Sequence, residues 1–172
     1  MEFTPNQTGS LRVQLQKDQR KIIEEMYHIQ NCELALGSLY QELTEKFPDE
    51  RFFWEEAVAD EINHARKIGR LIGIASANLK RYSAGRFKID LLKTYLERVY
   101  NHVRLIQEGK MSHKEILLMI LDYEKSDIEL KPFEVVKSYE NEYTDFIYAF
   151  EDEIKIHADR ISTYVKGKLG QL

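Results

Sequence analysis

The feature that most constrains this chain is a set of apolar helical stripes with acid placed inside them. Ile22, Met26, Ile29, Glu33, Leu36, Tyr40, Leu43 and Phe47 recur at steps of three and four, which puts their side chains on one face of an α-helix. Every member except Glu33 is apolar or aromatic. The helical pattern runs from Leu11 to Phe47, and Pro48 breaks it. It resumes from Asp49 to about Leu79 through Phe53, Trp54, Ala57, Glu61, His64, Ile68, Leu71 and Ala75. Two successive helices therefore carry ionisable groups on the faces they must bury.

The rest of the chain keeps the same period. A loop is expected near RYSAGRF. Residues 88–108 then repeat Leu91, Leu92, Tyr95, Leu96, Val99, Val103 and Ile106 on a third helix. After EGKMS, residues 114–131 form a fourth, with Ser112 as N-cap, Glu115 as its capping-box acid, and Leu117, Ile120, Glu124 and Asp127 along one face. A last helix runs from about 141 to 165 through Tyr143, Phe146, Phe150, Glu153, His157, Ile161 and Tyr164. Only three Pro and eight Gly interrupt 172 residues, which favours long helices over short strands. The expected fold class is all-α: one helical domain over residues 11–168, behind a flexible tail at residues 1–10.

Charge narrows the functional classes. The formal charge is −4, with both signs interspersed and no basic stripe, so nucleic acid is not an expected partner. Nothing resembles a signal peptide or an 18-residue apolar span, so no membrane is expected and the cytoplasm is the default setting. The lone Cys32 sits among apolar residues and reads as a small buried hydrophobe. It can form neither an internal disulfide nor a Cys-x-x-Cys metal site.

The two halves of the chain nearly repeat each other. Residues 59–68 read ADEINHARKI and residues 151–161 read EDEIKIHADRI, giving Glu61-x-x-His64 and Glu153-x-x-x-His157. Both spacings project to one helix face. A local widening of one turn would absorb the extra residue in the second pair. Glu33 lies 28 residues before Glu61, and Glu124 lies 29 before Glu153. Antiparallel helices bring residues to equal height when they are equidistant from the turn. The first midpoint is residue 47, at the Phe47-Pro48 break. The second falls between Ser138 and Tyr139, beyond Pro132. A helix ending at Pro132 would leave Glu124 and Glu153 roughly 20 Å apart in height at about 1.5 Å per residue. Equal height therefore requires Pro132 to kink a helix that continues toward SYEN.

Buried charge supplies the chemical reading. Glu33, Glu61, Glu124 and Glu153 occupy core positions, where four carboxylates would repel one another and lose hydration. They must protonate, find donors or surround cations. Two divalent cations would offset their charge and engage His64 and His157. One Glu from each of two helices, beside a Glu–His pair from each of two others, is a recognised helix-bundle solution. Iron suits carboxylate and imidazole ligands, and manganese and zinc accept the same donors.

At this point the stretch ELALGSLYQELTEKFPDERFFWEEAVADEINHA, residues 33–65, resembles the first half of a rubrerythrin-type ferritin-like domain. Its family-like marks are Glu33, Tyr40, Phe47, Trp54, Glu61, His64 and Ala65. ILLMILDYEKSDIE followed by EDEIKIHADRI resembles the partner pair, and the likeness spans about residues 15–165. It implies a ferritin-like four-helix bundle with residues 88–108 as crossover helix, and a non-haem centre of two iron ions that reacts with dioxygen or peroxide. It also implies Glu61 and Glu153 as bridging carboxylates, Glu33 and Glu124 as terminal ligands, and His64 and His157 each on one metal. The cysteine-ligated iron domain of a rubrerythrin has no counterpart here, so a catalytic role implies a separate electron-transfer protein.

Other functional readings stay open from the sequence. An iron-sequestering or ferroxidase-type protein would need an oligomer larger than a dimer, and a non-catalytic helical metal-binding or interaction protein would need no turnover. Asp127, one turn beyond Glu124, is an alternate ligand or a local ion-pairing residue. Asp60 and Asp152 either orient imidazoles or face solvent. Tyr40, two turns from Glu33, reads first as a core aromatic and second as a hydrogen-bonding residue. His28, His102 and His113 fall outside the repeat and read as surface or capping residues.

Overall fold

The computed structural model describes residues 5–77, 82–84, 88–130, 136–138 and 141–171. These residues form an almost entirely helical structure. Its helices are α1 (Pro5–Lys46), α2 (Arg51–Ala77), α3 (Ile89–Gln107), α4 (His113–Glu124), α5 (Asp127–Leu130) and α6 (Asn141–Leu169). Helix α1 begins at Pro5, inside the stretch expected as a tail. A single 3₁₀ turn, Pro48–Glu50, joins α1 to α2, so the break at Pro48 falls where the pattern places it. Two short strands, β1 (Tyr82–Ala84) and β2 (Val136–Ser138), pair antiparallel, with Ser83 opposite Lys137. The first lies in RYSAGRF, where a loop is expected.

Helix α1 packs along α2 and α3, α4 packs along α6, and α2 also touches α6. The stripes meet as their spacing requires. Leu36, Leu39, Tyr40, Leu43, Trp54, Ala57, Leu71, Leu92, Val99, Leu117, Ile120 and Ile161 are buried in one core. Fully burying each of the larger aliphatic side chains stabilises the fold by about 1.5–3 kcal/mol. Glu50, itself buried, fastens one end. It accepts a hydrogen bond from Trp54 Nε1 and pairs with Lys168 Nζ, both at 3.1 Å, and lies 3.5 Å from His113 Nε2. The turn, α2, α4 and α6 are thereby tied together.

The approach of α1 to α2 is close. A Cβ placed on Gly37 would lie 3.3 Å from Glu61 Cβ, and one on Gly69 would strike Gln30 Nε2 at 2.7 Å. That amide donates to the Ala65 carbonyl at 2.8 Å. Two glycines and one cross-helix hydrogen bond thus bracket Glu61 and His64, which holds these two side chains at a fixed depth.

The second half departs from expectation. Ser112 caps α4 through the full capping box with Glu115, as expected. The helix then stops at Glu124. The Ser126 N–H donates to the Tyr123 carbonyl at 2.9 Å, and the chain restarts as the single turn α5. Pro132 lies outside the described residues. The helix expected to continue through it does not do so, since Val136–Ser138 are extended and paired with β1. No helix among the described residues is long and apolar enough to cross a membrane.

Candidate metal centre

Five of the six residues singled out by the repeat converge at the meeting of α1, α2, α4 and α6. Glu33, Glu61, His64, Glu124 and His157 are all buried. His64 Nδ1 lies 3.4 Å from both Glu33 Oε2 and Glu61 Oε2. His157 Nε2 lies 2.9 Å from Glu61 Oε1 and 3.6 Å from Glu124 Oε1. The imidazole centroids are 5.2 Å apart. Glu61 therefore stands between the two histidines and presents one oxygen to each.

Glu153 is not among them. Its carboxylate accepts hydrogen bonds from Asn63 Nδ2 at 2.6 Å and from Lys67 Nζ, and its side chain is 36% exposed. The reason is angular. At 100° per residue, positions 153 and 154 flank the direction of His157 on opposite sides. Helix α6 runs unbroken from Asn141 to Leu169, so no widened turn brings Glu153 round. Ile154, at spacing three from His157, takes the inward position and is buried. Nor do Glu124 and Glu153 meet at equal height, because Glu124 faces His157 instead.

The fourth buried carboxylate of the cluster is instead Glu129, which the repeat does not point to. It is 1% exposed and comes from α5. Its donor atom joins those of Glu33, Glu61 and His64 in a group of four lying within 4.8 Å of one another; Glu61, Glu124 and His157 form a second group of three. In a continuous helix, residues 124 and 129 would be about 140° apart and could not share a face. The break at Lys125–Ser126 removes that restriction. One sequence signal does mark it: SDIE at 126–129 has the S-x-x-E spelling of a helix start. The Glu129 N–H does donate to Ser126 Oγ at 3.2 Å. At Ser112 the acid turns back to the cap; at Ser126 it is buried with the other donors.

Neighbouring groups order the centre. Asp60 Oδ2 lies 3.0 Å from His157 Nδ1 and accepts from Arg160 Nη2 at 2.5 Å. Arg160 Nη1 also donates to Glu56 at 2.9 Å. Asp60 thus fixes the His157 ring with Nε2 toward Glu61 and Glu124, an arrangement common behind metal-bound histidines. Tyr40 donates its hydroxyl to Glu124 Oε1 and stacks on Trp54 at 5.6 Å between centroids. It is a core aromatic and a hydrogen-bond donor at once. The bystander histidines make other contacts. His102 Nδ1 pairs with the Tyr123 hydroxyl at 2.7 Å, and His113 packs on Phe47. Cys32 is buried, and burial pushes its thiol pKa up, which makes it a core residue without nucleophilic character. The side chains of Asp127 and Tyr143 lie outside the described residues.

Electrostatics reveals how poorly this cluster is satisfied by protein alone. Among the described residues, twelve buried side-chain nitrogen and oxygen atoms have no hydrogen-bond partner, and eight of them belong to Glu33, Glu61, His64, Glu124, Glu129 and His157. Burial drives Glu33 up to about 8 and Glu129 well above the carboxylate range. Burial also opposes ionisation of Glu61, but its contacts with His157 and His64 outweigh that and hold it low. Burial disfavours the charged histidines, yet their acidic neighbours raise His64 to about 9 and His157 further. The cluster is thus a set of oxygen and nitrogen donors held together by protons that a cation would displace. Carboxylate and imidazole donors at this density fit iron, manganese or zinc. No protein-family model, curated protein or solved structure matches the chain, so the centre rests on its own geometry.

Proposed function

We propose that this chain is a rubrerythrin-like non-haem di-iron protein. Its fold is a ferritin-like four-helix bundle in which α1, α2, α4 and α6 supply the bundle and α3 is the crossover helix. The observation that carries the reading is the concentration of unpartnered buried donor atoms in two groups that share Glu61. Glu33, Glu61, Glu124 and Glu129 bring four negative charges when ionised, which two divalent cations neutralise.

Glu61 would bridge the two ions. Glu33, His64 and Glu129 would complete one position, and Glu124 and His157 the other. When bound, the iron pair supplies electron transfer to peroxide or dioxygen. The chain's own residues do the rest. Asp60 keeps the proton on His157 Nδ1 and so leaves Nε2 free to ligate. Tyr40 holds a proton on its hydroxyl beside Glu124, and burial keeps that phenol protonated. Phe150 and Trp54 line the His64 and Tyr40 sides and exclude water. Reducing equivalents would come from a separate electron-transfer protein, with the chain working in the cytoplasm as a homo-oligomer such as a dimer.

Iron reconstitution followed by metal analysis tests the reading. About two irons per chain are expected for a two-metal site, and fewer than about 0.2 would end the proposal. Peroxide consumption by the reduced, iron-loaded protein then separates turnover from simple storage. A particle much larger than a dimer under native conditions would favour iron sequestration instead.

A further inference from the structure

The two donor groups are unequal, and we propose that the centre loads in two ordered steps. A divalent transition-metal ion first occupies Glu33, Glu61, His64 and Glu129, and a second ion enters beside Glu61, Glu124 and His157 only afterwards. The inference rests on the two-metal reading above and deepens it, because it assigns Glu129 as the residue that sets the order.

Three observations carry it. The first group offers four donors and the second offers three. Glu129 is 1% exposed, and its Oε1 has no partner, although it lies among the donors of the first group. Both nitrogens of His64 are likewise unpartnered. The second group also has atoms without a hydrogen bond, but it is the more closely packed of the two. Glu124 Oε1 accepts the Tyr40 hydroxyl, which leaves Oε2 as its uncommitted oxygen. His157 Nε2 sits 2.9 Å from Glu61 Oε1, so an ion entering there must push these touching atoms apart. Glu61 supplies an oxygen to each side. A first ion orients that carboxylate for the second but repels it, because two cations a few ångströms apart share one buried pocket. The repulsion and the smaller donor set both weaken the second site relative to the first, and they act against the orienting effect.

The step involves no covalent chemistry. Each ion replaces the protons and contacts that hold the donors in the free protein. The helix break at Lys125–Ser126 is the device that makes the inequality, since an unbroken α4 would turn Glu129 away.

Titration of chelator-treated full-length protein with cobalt(II), followed by calorimetry and by cobalt absorption, reads the order directly. The expected isotherm has two classes of one ion per chain, separated by at least about tenfold in Kd. Glu124→Gln should keep the tight class and lose the weak one. Glu129→Gln should weaken the tight class by at least about tenfold, so that the two steps merge. Helical circular dichroism and a thermal melt show whether each variant folds; if Glu129→Gln does not, the wild-type isotherm still decides. Two indistinguishable wild-type sites would overturn the ordered loading and leave the two-metal reading standing. So would a Glu129→Gln isotherm identical to wild type, or loss of both classes in Glu124→Gln. A wild-type protein that takes up neither cobalt nor iron would overturn both proposals together.

Discussion

Helices α1 and α2 carry Glu33, Glu61 and His64 into the centre on two unbroken rods, whereas α4, α5 and α6 deliver Glu124, Glu129 and His157 across a helix break. In the first half, spacing and a short turn suffice. Gly37 and Gly69 let the helices approach, and the glutamates meet at the height that the turn dictates. In the second half the histidine has no carboxylate at spacing three, because Ile154 stands there. The missing acid is made up from the other side of the pair, by interrupting α4 and turning Glu129 inward. One chemical inventory is thus reached by two routes. The lesson is that a donor set constrains a fold less tightly than a repeat suggests: any backbone that brings another carboxylate to the same place will serve.

The sharpest way to break this comparison is to remove what the halves share. Glu61 belongs to both donor groups, so Glu61→Ala should abolish paired binding, lowering metal content from about two per chain to one or none. Metal analysis after reconstitution reads it, and an unchanged content of two would refute the bridging role.

Proton linkage gives the next largest effect. Glu33 sits above its ordinary 4.5, at about 8, and Glu129 is raised in the same direction, because both are buried. His64 is raised from 6.5 to about 9 by Glu33 and Glu61, against the effect of burial. In all three the folded state holds protons more tightly than the unfolded one. Their contribution to the metal-free protein is fully present below the unfolded values and is lost as pH rises through the folded ones. Glu61 is the opposite case: its contribution is present above 4.5 and is lost as pH falls toward about 2. The metal-free protein should therefore melt at progressively lower temperature from about pH 4.5 to 9, the carboxylates acting from 4.5 and His64 from 6.5. The metal-loaded protein escapes that loss, since its ligands have already shed their protons on binding. Each proton displaced is worth about 1.4 kcal/mol per pH unit. The difference in melting temperature with and without metal should widen with pH; a constant difference would mean that these groups do not bind metal.

Two substitutions probe the irregular half. Ile154→Glu would write the regular Glu-x-x-His pair into α6. In metal-free protein it should cost about 3–5 kcal/mol, as an uncompensated buried charge does. Placed in a Glu129→Gln background it should restore the metal affinity lost with Glu129. If the double variant binds metal no more tightly than Glu129→Gln alone, the second half is not interchangeable with the first. Asp60→Asn acts one layer out. It weakens the hold on His157 Nδ1 and should lower affinity at the second position about 10–100-fold while sparing the first. Equal weakening of both positions would refute that assignment.

Much of this arrangement is legible in the sequence because helical periodicity is strong here. The stripes through Leu36, Tyr40, Trp54 and Leu71 place Glu33, Glu61 and His64 in the core, and Pro48 sets their common height. Legibility fails where local chemistry interrupts the period. Ser126 restarts the backbone by capping Glu129, and a one-turn helix leaves no periodic trace. It also fails where two angles compete. Glu153 and Ile154 both lie near the face of His157, and the choice between them depends on Asn63 and Lys67 waiting on α2. That partner is invisible to any pattern read along α6 alone.

Glu153 therefore gives the smallest expected effect and the finest test of how the halves differ. Read along the chain, it is the counterpart of Glu61 and should be indispensable. In the fold it pairs with Lys67, both side chains about a third exposed, and it touches neither donor group. A half-exposed ion pair of this kind contributes about 0–1 kcal/mol. Glu153→Gln keeps the size and the capacity to bond Asn63 but removes the charge that holds Lys67. Its melting temperature should fall by no more than a few degrees, in line with at most about 1 kcal/mol for a domain of this size. Its metal content and both cobalt affinities should match wild type. Lys67→Met should reproduce the same small loss, and the double variant should add little to either, because the two singles break one interaction. A loss of metal in Glu153→Gln would instead mean that the carboxylate leaves Lys67 and turns inward when the centre fills. The second half would then use the acid its sequence repeat provides, with Glu129 as an addition to it.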